Sequence, residues 1–238
     1  MHALYNRVGQ YVDIDRAAFD ALDQLPHRLE DKRPGEVLIR EGQTVDSLFV
    51  IESGWAIRFR MLEDGRRQIV NFMLPGDSFD MMSLTQAQSD HTVSASTPVT
   101  LRRIGAKRFL RAVEEQPQLS IALWWSAIQE ESILRAQIVR IGRHSAIERV
   151  AHLILELNTR VNSVMQTQDS FLPLPVPQSL FADALGLSIV HISRTLTALR
   201  SKNLISTPSG GIQILDREKL AKLAQFEPDY LRVKKLRL

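Results

Sequence analysis

The sequence predicts an α+β protein in three parts: an antiparallel β domain, a long central helix, and a helix-turn-helix followed by a two-stranded wing. Three observations carry this reading. Short apolar runs separated by glycine turns fill residues 29–104, apolar residues recur at helical spacing from about Leu119 to Ile141, and residues 185–200 read LGLSIVHISRTLTALR. The corresponding boundaries are 1–118, 119–142 and 143–238.

The β domain rests on the runs EVLIRE, SLFVIES, GWAIRFRM, RQIVNFML and VTLRRI. Between them lie Gly35, Gly42, Gly54, Asp64-Gly65 and Pro75-Gly76, at intervals suited to hairpins. Helical segments flank it, with IDRAAFDALDQL before and AKRFLRAVEEQPQLSIAL after.

In the central helix Trp124, Ile128, Leu134, Ile138 and Ile141 form one apolar stripe, while Ile121, Trp125, Ile133 and Val139 add a second flank. Two flanks are more than one neighbouring domain needs, so a second copy of the helix is expected against the stripe, making a homodimer by partial coiled-coil packing. The alternative is a central helix buried within a monomer. RHSAIERVAHLILEL, residues 143–157, is a further amphipathic helix with Ile147, Val150, Ala151, Ile154 and Leu157 on one side. NTRVNSVMQTQDS then reads as a loop, and FLPLPVP as extended because a proline disfavours helix at the residue before it.

Pro177 suits a helix start, and QSLFADAL supplies Leu180, Phe181, Ala184 and Leu185 for packing. Gly186 permits the left-handed backbone that ends a helix, and Ser188 is placed to cap the next. In that second helix Ile192, Leu196 and Leu199 face inward, so some of His191, Ser193, Arg194, Thr195 and Thr197 must face solvent. IST and IQIL around PSGG make the wing. A helix of this kind docks in the major groove while a wing lies along the backbone. The candidate DNA-binding residues are Ser188, Ile189, Val190, His191, Ser193, Arg194, Thr197, Lys202, Ser209 and Gly210. Ile189 and Val190 suit thymine methyls, Arg194 suits guanine or phosphate, His191 and Ser193 are polar readers, and Lys202 and the wing position the duplex.

Composition bounds the chemistry. The 238 residues are 44% apolar, enough for a sizeable core, and include no cysteine, which excludes disulfides, thiolate metal sites and cysteine nucleophiles. Residues 1–142 hold 17 Lys/Arg against 19 Asp/Glu, and residues 143–238 hold 13 against 8, so the basic part is the one with the helix-turn-helix. No long charge-free apolar run and no signal-like N-terminus are present, so the expected setting is cytoplasmic, with no membrane partner. The histidines His2, His27, His91, His144, His152 and His191 show no spacing that selects a ligand pair for haem or metal. His144 and Ser145 are neighbours that would point apart on a helix, and no glycine-rich nucleotide loop or nucleophile elbow occurs, so neither an enzyme nor a cofactor is expected. Two alternatives stand beside DNA reading: a sensor or adaptor without operator binding, and an enzyme using the β domain as a small-molecule cavity.

With PGEVLIREG, SLFVIESG, EDGRRQIVNFMLPGDSF, the long helix and LGLSIVHISRTLTALRSKNLI in place, the chain resembles, over nearly its full length, the Crp/Fnr family of bacterial transcription regulators. That family includes the cyclic-AMP receptor protein and the fumarate-nitrate regulator. The resemblance implies a cyclic-nucleotide-binding-type β-roll (jelly roll), a dimerisation helix and a winged helix-turn-helix. It also implies double-stranded DNA, a second copy and RNA polymerase as partners, with an unidentified small molecule as a possible effector. Family members that bind cyclic AMP hold its ribose with a Gly-Glu pair and its phosphate with Arg-Ser or Arg-Thr. Here the acidic position falls on Met81, followed by Met82, and the arginine position on His91, followed by Thr92. Met cannot accept a ribose hydroxyl hydrogen bond, and a mostly neutral His cannot replace the guanidinium fork. The resemblance therefore implies a degenerate effector pocket and no control by cyclic AMP, and the missing cysteines exclude the iron–sulfur cluster of the fumarate-nitrate branch. In the reading helix the family's cytosine-contacting Glu is Val190 here, so a different half-site is expected, while its Arg is retained as Arg194.

Overall fold

Eight strands between His27 and Gly105 form two four-stranded sheets in the computed structural model, which describes residues 3–9, 16–79, 81–85 and 87–231. They are β1 (His27–Lys32), β2 (Val37–Ile39), β3 (Ser47–Ser53), β4 (Ala56–Met61), β5 (Arg67–Met73), β6 (Ser78–Phe79), β7 (Thr92–Ala95) and β8 (Val99–Gly105). The sheet orders are β1-β8-β3-β6 and β2-β7-β4-β5, and the pairings β1–β8, β3–β8, β3–β6, β2–β7 and β4–β7 are antiparallel. Side chains alternate across each strand, and the inward set, including Ile39, Phe49, Ile51, Met73, Phe79, Val93 and Leu101, makes one apolar cluster. Phe49 and Phe79 stack within it at 5.3 Å between centroids. A short 3-10 turn, Met81–Thr85, interrupts the strands.

Helices α1 (Ala3–Val8), α2 (Arg16–Asp23) and α3 (Ala106–Glu115) flank the strands. A second apolar cluster joins Leu4 and Leu22 to Leu48, Val50, Ile104 and Phe109, and takes in Leu119, Ala122 and Leu123 from α4 (Pro117–Arg143). Each fully buried Leu or Ile contributes roughly 1.5–3 kcal/mol over its exposed state. α4 is longer at both ends than the stretch Leu119–Ile141 predicts, because Pro117 is compatible with a helix start and nothing breaks the helix before Arg143.

The chain divides into two units: Met1–Met61 with Asn71–Glu130 and Arg232–Leu238, and Leu62–Val70 with Glu131–Leu231. In the second unit α5 (Ala146–Met165) begins with a reciprocal cap, Ser145 with Glu148. The loop expected over residues 158–170 is a correction: its first eight residues continue α5. Val161 and Val164 extend the inward stripe of Val150, Ile154 and Leu157, and the buried Asn158 gains Arg217 Nη1 as a donor at 2.7 Å. Tertiary partners thus stabilise helix over a locally polar sequence. α6 (Gln178–Leu185) and α7 (Ile189–Ser201) follow, then α8 (Arg217–Ala224) and a 3-10 turn, Pro228–Leu231.

The wing also differs from the two-stranded expectation. β10 (Ile205–Ser206) and β11 (Gly211–Ile214) are joined by β9 (Phe171–Pro173) in the order β10-β11-β9. Gly211 permits this, since a Cβ there would lie 2.2 Å from Leu172 O.

Candidate nucleic-acid interface and effector pocket

The turn between α6 and α7 is made by backbone chemistry. Gly186 has φ of 63°, which costs glycine little, and Ser188 Oγ accepts the His191 backbone N–H at 3.2 Å, capping α7. Ile192, Leu196 and Leu199 are buried with Leu180, Phe181, Leu185 and Leu204. Thr195 is buried too, with its hydroxyl donated to His191 O at 2.8 Å, so it leaves the set of exposed residues.

What remains outside is a mixed face at the start of α7. Ser188, His191, Ser193, Arg194 and Thr197 are exposed, as are Ile189 at 55% and Val190 at 60%. Two adjacent apolar side chains at a helix start are thus left more than half exposed. Arg194 makes no hydrogen bond or ion pair among the described residues. Lys202 ends α7, and Ser209 and Gly210 form the exposed wing turn, with Gly210 at φ of 82°. Sequence reading missed Arg200. Its guanidinium donates to Thr197 Oγ1 at 2.8 Å and to Thr207 Oγ1 at 2.9 Å, tying α7 to the wing turn. The spacing of three from Thr197 was a local signal; Thr207 was not.

The long helix carries the second exposed apolar feature. On α4, Trp124 is 76% and Ile138 71% exposed, Val139 is also exposed, and Ile128, Leu134 and Ile141 are half-buried. Ile133, from the other expected flank, is buried.

The positions expected to line an effector pocket lie in the first unit. Met81 is partly buried and packs against the apolar cluster around Leu48 and Phe109, and the Met82 side chain lies outside the described residues. His91 places Nδ1 2.7 Å from Asp90 Oδ1, while its Nε2 is buried without a hydrogen-bond partner. Burial lowers its pKa, helped by Arg58 and Arg60 and opposed by Asp90, so the ring is neutral near pH 7. Thr92 Oγ1 accepts the Glu41 N–H at 3.2 Å. The two nearby guanidiniums have acid partners: Arg58 pairs with Glu130 of α4, and Arg60 with Glu41 at 2.7 Å. Neither anchor position carries a fixed cation or a ribose acceptor, so these residues do not fit a cyclic phosphate as the family's binding members hold it.

A β-roll and a winged helix-turn-helix with an outward-facing second helix define a DNA-binding transcription regulator. Residues 29–116 match the cyclic nucleotide-binding domain model, and residues 148–223 match the Crp-like helix-turn-helix domain model. The chain is 35% identical over 211 residues to the nitrogen fixation regulation protein FixK of Bradyrhizobium diazoefficiens, covering 89% of this chain and 87% of that protein. It is 33% identical to the transcriptional activatory protein AadR of Rhodopseudomonas palustris, covering 80% and 79%. The solved structure of FixK2 from Bradyrhizobium japonicum superposes with a TM-score of 0.74 at 25% identity, covering 84% of this chain and 98% of that one. The chain belongs to the Crp/Fnr family of transcription regulators. No described helix is long and apolar enough to cross a membrane.

Proposed function

We propose that the protein is a homodimeric, sequence-specific transcription regulator that reads a palindromic operator through α7 and is not controlled by cyclic AMP. The observation that carries this is the face of Ile189, Val190 and Arg194, which is exposed, partly apolar and without an internal partner for its cation. In a major groove the two aliphatic side chains lie against thymine methyls and Arg194 meets guanine or phosphate, with Ser193, His191 and Thr197 alongside. Ser188, Lys202, Ser209 and Gly210 position the duplex backbone. The stripe Trp124, Ile128, Leu134, Ile138 and Ile141, exposed at Trp124 and Ile138 and half-buried at the other three, supports the homodimer, since a second copy would cover it. Met81 and His91, with Arg58 and Arg60 already paired, support independence from cyclic AMP. The relatives named as activators support action with RNA polymerase, a cytoplasmic role. No residue is assigned a catalytic part, and the effector, whether a small molecule of another class or a partner protein, is left unassigned.

Selection of bound duplexes from a random pool tests the reading. The expected product is a palindrome with half-sites about one helical turn apart. A pool that enriches no sequence, while the dimer stays intact, would overturn it in favour of a sensor or adaptor.

A further inference from the structure

The end of α6 is held by side chains from other parts of the second unit. Beyond Ala182, whose carbonyl accepts the Gly186 N–H, its last carbonyls have no following helical N–H to accept from, and Ala184 is buried away from water. The Ala184 carbonyl accepts from two side-chain amides, Gln137 Nε2 of α4 at 3.0 Å and Gln68 Nε2 of β5 at 3.1 Å. The same two nitrogens donate to Ile69 O at 3.0 and 2.9 Å. Asp183, one residue before, receives Arg67 Nε at 2.6 Å, and Leu185 O, one residue after, receives Arg149 Nη1 at 3.1 Å. Three successive residues are fixed immediately ahead of the Gly186–Ser188 turn, which sets where α7 begins.

We infer that Gln68 and Gln137 are positioning residues for DNA reading, acting together on the Ala184 carbonyl to set the placement of α7; this rests on the function proposed above. A carbonyl has two acceptor directions, and here two amides fill both. Loss of one donor leaves the group satisfied by the other. Loss of both leaves a buried acceptor without a partner, which α6 relieves by shifting toward water and carrying α7 with it. The orientation of the Gln137 amide is fixed from behind: its Oε1 accepts Arg140 Nη2 at 2.7 Å, so its nitrogen faces the two carbonyls. Arg140 is held in turn by Glu156 at 3.2 Å, and Glu156 by the Tyr230 hydroxyl at 2.7 Å. Gln137, Arg140 and Glu156 in that chain of bonds are buried, which gives the amide a fixed support. Gln68 and Gln137 touch no base, so their effect falls on how well α7 fits its site.

The test uses the full-length dimer with Gln68→Met, Gln137→Met and both together, methionine keeping the length and removing the donors. Binding is measured on the selected operator and on a scrambled duplex, with hydrogen exchange of the Gly186 and Leu187 amides, both bonded to Ala182 O. Each single change is expected to weaken operator binding about threefold and the pair to exceed the ~ninefold product, with scrambled-duplex binding altered less than ~twofold. Exchange at Gly186 and Leu187 rises in the double variant. Losses that merely multiply, equal losses on both duplexes, or unchanged exchange would each overturn the inference. Gln137→Glu removes the donors while keeping an oxygen toward Arg140, and replaces the Met variant if the latter loses its cooperative melt. A parent protein that enriches no duplex overturns the proposed function instead, and the exchange measurement still decides whether the two amides act jointly.

Discussion

Two groups of arginines meet different fates in this chain. In the β-roll, Arg58 is matched by Glu130 and Arg60 by Glu41, and the neutral His91 rests against Asp90. On α7, Arg194 has no partner among the described residues, and Ile189 and Val190 beside it are more than half exposed. A cation already matched by a fixed carboxylate gains little from an incoming phosphate, because one favourable pairing would only replace another. An unmatched cation beside exposed methyl groups gains from a surface that offers both an acceptor and an apolar contact, which a DNA major groove does. The β-roll cations are therefore matched and the cation on α7 is open.

The largest effect should come from the other open surface, the stripe on α4. Ile138→Glu would place an unpaired charge where the proposed second copy packs, weakening self-association by about 3 kcal/mol or more. Sedimentation at micromolar protein should show the parent near twice 27.0 kDa and the variant at the chain mass. A parent that stays at the chain mass would remove α4 from the set of open surfaces.

Arg194→Ala is expected to cost roughly 1–3 kcal/mol on the selected operator if the contact is bidentate to a base. The loss should shrink on scrambled duplex. An equal loss on every sequence, with a shallower salt dependence, would convert Arg194 from a reader into a phosphate contact.

His152 sharpens the contrast by showing what full enclosure does. It lies against Phe226 and Tyr230, and burial, with Arg140 adding to it, lowers its pKa from 6.5 to about 4. As pH falls, the unfolded chain takes up this proton first. The stabilisation from the neutral ring is complete above about pH 6.5 and is lost progressively down to about pH 4, by up to about 3 kcal/mol. Thermal melts of the parent should decline more steeply across that window than those of His152→Leu. Parallel profiles would mean that the ring protonates in the folded protein.

The smallest expected effect is none. Calorimetry with cyclic AMP at physiological concentration should give no saturable heat, and micromolar binding would break the comparison at its sensor half.

The order of parts was legible because each signal is local. Glycine-separated runs gave the strands, helical spacing gave α4, and Gly186 with Ser188 gave the turn before α7, since φ preference and capping act within a few residues. The exposed face of α7 followed from the period alone once Ile192, Leu196 and Leu199 were inward.

Other features depended on residues that meet only in the folded chain. Residues 158–165 look polar in isolation, and they are helical because Asn158 finds Arg217 and because Val161 and Val164 find a core. β9 joins the wing because Gly211 lets a backbone 39 residues away in sequence approach Leu172. Arg58 and Glu130 stand 72 positions apart, and Gln68 and Ala184 116 apart. Sequence determined the alphabet of elements and the composition of the exposed α7 face, through short-range backbone preferences and periodicity. The tertiary structure decided which charges are neutralised and which carbonyls are held, because hydrogen bonds and ion pairs act over a few ångströms in space whatever the separation along the chain.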